Sequence, residues 1–220
     1  MTDRPIIFSG PMVRALLAGT KTQTRRILAE QPASGQYCAR VLRHPEGQPS
    51  LHAFEWRPKF GAYLSDATVR YAAGDRLYVR EAWAPLDALT HDDPGTRALA
   101  EKGFYRADEG TVAGEISKWR PSIHMPRWAS RLTLTVTEVR VQRLQDISEA
   151  DARAEGCGQY ASSTPILREF RPEWKGSYRQ GFLAVWDQLH GTESTDADPW
   201  VAAISFRVIP ANIDSLPEQP

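Results

Sequence analysis

Arg131-Leu132-Thr133-Leu134-Thr135-Val136-Thr137-Glu138-Val139-Arg140-Val141-Gln142-Arg143-Leu144 is the stretch that decides the fold. Leu132, Leu134 and Val136 alternate with Thr133, Thr135 and Thr137. That period of two marks a strand with one apolar face. Val139 and Val141 resume the alternation on the opposite parity, so a bulge near Thr137-Glu138 is expected to switch the face.

Outward from this strand, short patterned segments are separated by stretches rich in Pro and Gly, and no internal repeat is present. Residues 5–8 and 22–28 read as extended. Residues 75–83 read as a strand after a turn at Gly74, residues 103–107 as a short strand, and residues 200–208 as a final one. Ser9 is an N-cap candidate and Pro11 falls in the first turn of a helix. Met12, Val13, Leu16 and Leu17 form its apolar face, and Gly19 ends it. Ser148 and Asp151 form a capping-box-like pair for a helix running to Glu155 and stopping at Gly156. A longer helix is expected over 177–190, with Phe182, Val185, Trp186 and Leu189 toward the core and Gly191 as its cap. Several strands, few helices and no βαβ series predict an α+β fold with a mixed or antiparallel sheet, closed as a small barrel with flanking helices.

Length and composition narrow the classes. A chain of 220 residues with 41% hydrophobic residues has enough apolar side chains for an ordinary core. It is expected to form a single domain over 1–220, with loop insertions at about 29–73, 84–120 and 157–176. No apolar run approaches the about 20 residues that span a bilayer. The start, Met1-Thr2-Asp3-Arg4-Pro5-Ile6-Ile7-Phe8, has no signal-peptide core, so a cytoplasmic location is expected and no membrane partner. The formal net charge is +0, which removes any global drive toward nonspecific nucleic-acid binding and leaves only local basic patches. Of 27 Lys and Arg, five are Lys (Lys21, Lys59, Lys102, Lys118, Lys175), leaving 22 Arg, the residue whose rigid fork suits phosphates and base edges. Two cysteines, Cys38 and Cys157, do not make a disulfide framework. With His44 and His52 they match no standard zinc spacing. No metal or other cofactor is expected.

The chemistry concentrates in Gly19-Thr20-Lys21-Thr22-Gln23-Thr24-Arg25-Arg26. If residues 22–26 are extended, Thr22, Thr24 and Arg26 share one face, and Lys21 at the turn could reach it. An amine of lowered pKa can serve as base to a hydroxyl nucleophile. Arg26 could bind phosphate or neutralise developing charge. Thr-x-Thr is also common on ordinary strands, and Lys-Arg clusters are usually solvated surface.

The same segment resembles the signature of the ASCH family, Gly-x-Lys followed by a polar run to Arg: here Gly19-x-Lys21, then Thr24 and Arg26. Larger phage- and prophage-associated members carry stretches similar to 74–83, 123–131, 144–156 and 199–201 of this chain. The resemblance implies kinship with PUA-like RNA-binding barrels. One ASCH branch is an amidohydrolase that removes the acetyl group from N4-acetylcytidine through a Lys–Thr–Glu set. By resemblance Lys21 is the base, Thr24 the nucleophile, and Glu155 the acid, with Glu149 a weaker candidate. No metal is needed in that chemistry. The partner implied is a nucleoside or RNA; nothing points to DNA. Other members are proposed RNA binders or ribonucleases, so a noncatalytic RNA-binding module using Lys21, Arg26 and Arg127 is the competing class.

Further substrate-binding candidates are Gly19, Arg80, Glu81, His124, Arg127 and Trp128. The run from Trp119 to Trp128 mixes aromatic and basic residues, as base stacking requires, although tryptophans pinning a loop to the core would read the same way. Trp83 and Trp186 are expected in the core.

Overall fold

A computed structural model describes residues 3–32, 37–43, 50–55, 63–85, 103–108, 116, 118–160 and 176–217, with only the backbone for 37–43, 50–55 and 63–67. In chain order its main elements are β1 (Asp3–Ile7), α1 (Gly10–Leu17), β2 (Gln23–Ile27), β3 (Tyr37–Arg43), β4 (Ser50–Glu55), β5 (Tyr63–Val69), β6 (Arg76–Arg80), β7 (Trp83–Ala84) and β8 (Phe104–Tyr105). There follow β9 (Thr133–Arg143), α2 (Glu149–Ala154), α3 (Tyr178–His190), α4 (Thr192–Asp196) and β10 (Trp200–Ile209). The class is α+β. The chain divides into two compact units: Met1–Gly19, Asp75–Thr135 and Arg207–Pro220 form one, Thr20–Gly74 and Val136–Phe206 the other. Strands β9 and β10 pass from one to the other.

In the first unit β1 runs parallel to β6, and β6 antiparallel to the start of β9, with Leu77 opposite Leu134. Helix α1 follows Ser9 and takes Pro11 in its first turn. Val13 and Leu16 are buried, whereas Leu17 is exposed. Gly19, at φ 70, turns the chain out of the helix, a conformation that penalises a Cβ. A small core forms around Trp83, Met125 and Ala129.

In the second unit β10 pairs antiparallel with β2, and α2 and α3 close a core of Leu144, Ile147, Ala152, Phe182, Trp186 and Val201. Helix α3 starts where the Ser177 hydroxyl accepts from the Gln180 N–H. Phe182 and Trp186, one turn apart, supply its buried stripe. Val185 and Leu189 are exposed instead of core-facing. The stripe is narrowed by Gly181, which is itself buried and lies against the backbone of Gly158.

Three expectations are revised. The paired strands follow the order β1-β6-β9-β10-β2, so among the described residues the sheet is mixed and open, with no closed barrel. Pro5 in edge strand β1 lacks one of the N–H donors that a closing neighbour would need. The segment 29–73 is not all loop: β3, β4 and β5 form a separate antiparallel sheet. Register shifts between Cys38 and Arg40, Val41 and Arg43, and Phe54 and Glu55 break the period of two that would have revealed them. Strand β9 is continuous, but Thr133 and Thr135 are buried along with Leu134 and Val136. Burial of Thr133 is compatible with its polarity because its hydroxyl donates to the Ala211 carbonyl at 2.8 Å. The interiors of the segments 84–120 and 157–176 lie largely outside the described residues.

Candidate active site

The motif is tied to the end of α2 by its backbone. Lys21 and Glu155 form an isolated antiparallel bridge, the Thr22 N–H donates to the Ala154 carbonyl at 2.7 Å, and the Phe206 N–H donates to the Thr22 carbonyl at 2.9 Å. Helix α2 begins at Ser148, whose side chain accepts from the Asp151 N–H. The carboxylate of Asp151 does not complete a capping box; its hydrogen bonds go to side chains of other elements. Glu155 is the C-cap, with its own carbonyl turned toward Lys21. A cation at that end satisfies an orphan carbonyl and opposes the helix dipole.

Lys21 is 1% exposed. Its Nζ donates to Glu155 Oε2 at 2.8 Å, to the Glu155 carbonyl at 2.9 Å and to the Gln23 carbonyl at 2.9 Å, three acceptors for the three protons of an ammonium. The Gln23 carbonyl belongs to the peptide joining Gln23 to Thr24, so Nζ sits one peptide plane from Thr24. Thr24 is buried, opposite Ile204 in the ladder. Alternation along β2 turns its side chain away from those of Gln23 and Arg25.

Arg25 completes the cluster. Its Nη1 donates to Glu155 Oε1 at 3.0 Å and to Gln23 Oε1 at 2.6 Å, and its Nη2 to Asp151 Oδ2 at 3.2 Å. The guanidinium lies over the Phe182 ring, 5.5 Å from its centroid. Asp151 Oδ1 accepts from Arg140 at 2.9 Å and from Gln23 Nε2 at 3.2 Å. Burial pushes the Asp151 carboxyl up, but Arg140, Gln23 and Arg25 outweigh it and hold the group below its ordinary range. Cys157 beside the cluster is pushed up to about 11, first by burial and then by the Glu155 charge, which makes it a poor nucleophile.

Of the residues singled out in the sequence, the structure thus brings Lys21 and Glu155 into contact, while Thr24, three positions along from Lys21, has its side chain on the opposite face of β2 from Gln23 and Arg25. Arg26 is half-buried, opposite Ala202. Glu149 is exposed and occupied at the start of α3, where it accepts from the Ser177 hydroxyl and, at 2.9 Å, from the Tyr178 N–H.

The remaining candidates, Gly19, Arg80, Glu81, His124, Arg127 and Trp128, belong to the first unit. Arg80 donates to the carbonyls of Met125 at 2.7 Å and of Ile123, so it ties down the loop that carries His124. Glu81 is 1% exposed and gripped by Arg131 at 2.9 and 3.1 Å. Burial nonetheless outweighs that partner and raises its pKa. Arg127 is shared between Asp3 at 2.6 Å and Asp214 at 2.8 Å. Trp128 is 55% exposed and meets the buried Trp83 edge-on, with ring centroids 5.7 Å apart. His124 is exposed, on a single helical turn, Ser122–His124.

Gln23, Arg25, Asp151 and Arg140 were not singled out as site residues by their sequence. The signal for Gln23 and Arg25 was the strand alternation itself, which gives the odd positions of the motif a shared face. Among the described residues no three His, Cys, Asp or Glu side chains are grouped to hold a metal ion; the side chains of Cys38, His44 and His52 lie outside them. No helix among the described residues is long and apolar enough to cross a membrane. Compared with known proteins, the chain matches no family model, no curated protein and no solved structure.

Proposed function

We propose that the chain hydrolyses an N4-acylated cytosine nucleoside, the N4-acetylcytidine type of amide, with Thr24 as nucleophile, Lys21 as base and Glu155 as acid. The observation that carries this reading is the buried contact of 2.8 Å between Lys21 Nζ and Glu155 Oε2. That contact lets the Lys21 ammonium pass a proton to the carboxylate, which gives both the neutral amine a base needs and the protonated acid.

The sequence of steps balances on these three groups. A proton passes from Lys21 to Glu155 Oε2, leaving a neutral amine. Substrate binding has to bring the Thr24 hydroxyl round to the amine, which takes its proton as Oγ1 bonds to the acyl carbon. The carbon–N4 bond breaks, and N4 takes the proton from Glu155 and leaves as cytidine. Water then attacks the acyl-threonine, giving its proton to the Glu155 carboxylate; the acyl carbon–Oγ1 bond breaks, Thr24 recovers its proton from Lys21, the carboxylic acid leaves, and the proton on Glu155 returns to Lys21. Lys21, Thr24 and Glu155 are 1%, 4% and 7% exposed, so water is held off the pair and the substrate must displace what covers Thr24.

Membership of the phage-associated ASCH branch, and through it kinship with PUA-like folds, is part of the same proposal. Its support is the Gly19-x-Lys21 motif together with the contact that motif makes at Glu155. The competing class, a noncatalytic RNA-binding module or a ribonuclease, would place Lys21, Arg26 and Arg127 on phosphates. Lys21 and Arg127 are held in ion pairs here, which favours the hydrolase.

The test is to incubate the purified protein with N4-acetylcytidine and follow cytidine by chromatography, beside Lys21→Ala, Thr24→Ala and Glu155→Ala. Turnover lost in all three folded variants is expected. A wild-type protein that releases no cytidine would sink the reading and turn attention to RNA binding and cleavage.

A further inference from the structure

We infer that Arg25 is a positioning residue for this site: it holds Glu155 by Oε1, so that the proton exchanged with Lys21 is carried on Oε2 alone. The inference rests on the proposed hydrolytic role of Lys21 and Glu155, and extends it to a residue outside the Lys–Thr–Glu set.

The geometry is specific. The two oxygens of Glu155 are divided between two cations, Oε1 to Arg25 at 3.0 Å and Oε2 to Lys21 at 2.8 Å. A carboxyl group held by one cation can rotate and offer either oxygen; one held by two cannot. Arg25 is itself fixed. Its Nη1 also reaches Gln23 Oε1 at 2.6 Å and its Nη2 reaches Asp151 at 3.2 Å. Gln23 is oriented in turn by Ser205 Oγ at 3.1 Å. Only a planar fork can serve Glu155, Gln23 and Asp151 together; a lysine is a point charge on a flexible stem. The Nε of Arg25 is buried with no hydrogen-bond partner among the described residues, which is unfavourable for stability.

The arrangement also sets a charge balance. The groups facing the Glu155 carboxylate are Lys21 before β2, Arg25 on β2 and Cys157 after α2. Asp151 on α2 faces it across Arg25, and Arg140 on β9 lies behind Asp151. Arg25 is the second cation in contact with the carboxylate, and its removal must make Glu155 easier to protonate.

The experiment uses the full chain with Arg25→Gln, Arg25→Lys and Asp151→Asn. The ionisation of Glu155 is followed by carbon-13 NMR of its labelled carboxyl, alongside deacetylation of N4-acetylcytidine. In Arg25→Gln the Glu155 titration should move upward, kcat should fall at least about tenfold and KM should stay within about twofold. Arg25→Lys should restore the titration more than the rate, because charge returns without the fork. Asp151→Asn, which keeps Arg25 but loosens it, should lower kcat less than Arg25→Gln does. An unmoved Glu155 titration in a folded Arg25→Gln protein overturns the inference. If Arg25→Gln does not fold, Arg25→Lys decides: a rate and pH profile identical to wild type overturn it. A wild-type protein inactive on N4-acetylcytidine refutes the proposed reaction, while the NMR titration still reports whether Arg25 holds Glu155.

Discussion

Lys21 and Glu155 stand 134 positions apart in the chain and are joined twice, by a backbone bridge and by an ammonium that donates to the same residue's carboxylate and carbonyl. The consequence is that the motif cannot move without α2. Cutting one side of a buried ion pair leaves the other charge uncompensated, at a cost of about 3–5 kcal/mol. Lys21→Met and Glu155→Gln should each destabilise the protein by about that amount in urea titrations, the Glu155 change less if Arg25 finds a water. The double variant should be more stable than the sum of the singles predicts. Strict additivity would contradict the coupling.

Gly181 offers a test of the packing around α3. A Cβ added there would lie 1.9 Å from the Gly158 carbonyl oxygen. Alanine gains about 1 kcal/mol of helix propensity over glycine, yet the helix would have to move away from Gly158. Gly181→Ala should therefore lose about 1–3 kcal/mol net, read as a lower thermal midpoint. At Gly19 an added Cβ would meet nothing within 4 Å, and only the left-handed φ of 70 opposes it, so Gly19→Ala should cost only about 1–2 kcal/mol.

Asp151 gives the protein an acid-sensitive link. Its carboxyl is held below the ordinary value of 3.8. A group depressed in the folded state stabilises above its unfolded pKa and loses that contribution as the pH falls through the folded one. Stability should thus decline as the pH drops below about 4. Asp151→Asn should remove part of that slope while lowering stability at neutral pH. A slope unchanged in Asp151→Asn would remove Asp151 from the account.

Cys157 reports on the charge beside it. With its thiol pushed up to about 11 by burial and then by Glu155, alkylation by iodoacetamide should be slow at neutral pH. Glu155→Gln removes the opposing charge and leaves Lys21 and Arg25, so alkylation of Cys157 should quicken. Peptide mapping by mass spectrometry separates it from Cys38. Equal rates in the two proteins would show that burial alone governs the thiol.

Much of this organisation is legible in the sequence, and the omissions have physical causes. The alternation in 131–144, the caps at Ser148 and Ser177 and the glycines that end α1, α2 and α3 locate their elements because each acts locally. The sheet β3–β5 escapes a reading by pattern because its register shifts erase the period of two. Asp151 reads as a helix-cap residue from its spacing to Ser148, and its N–H does serve that cap, but the carboxylate's attachment to Arg25 and Arg140 is tertiary. Val185 and Leu189 fit an apolar helical face that α3 leaves exposed, because Phe182 and Trp186 enter the core with Tyr178 and Leu183 packed against it.

The most direct measurement of the central claim is the mass of the protein caught during turnover of N4-acetylcytidine, with the modified peptide sequenced. The account predicts one acetyl group on Thr24, absent from Thr24→Ala, and absent or much slower to form in Lys21→Met. Cytidine accumulating at the wild-type rate in Thr24→Ala, with no acetyl group on any peptide of the motif, would contradict it.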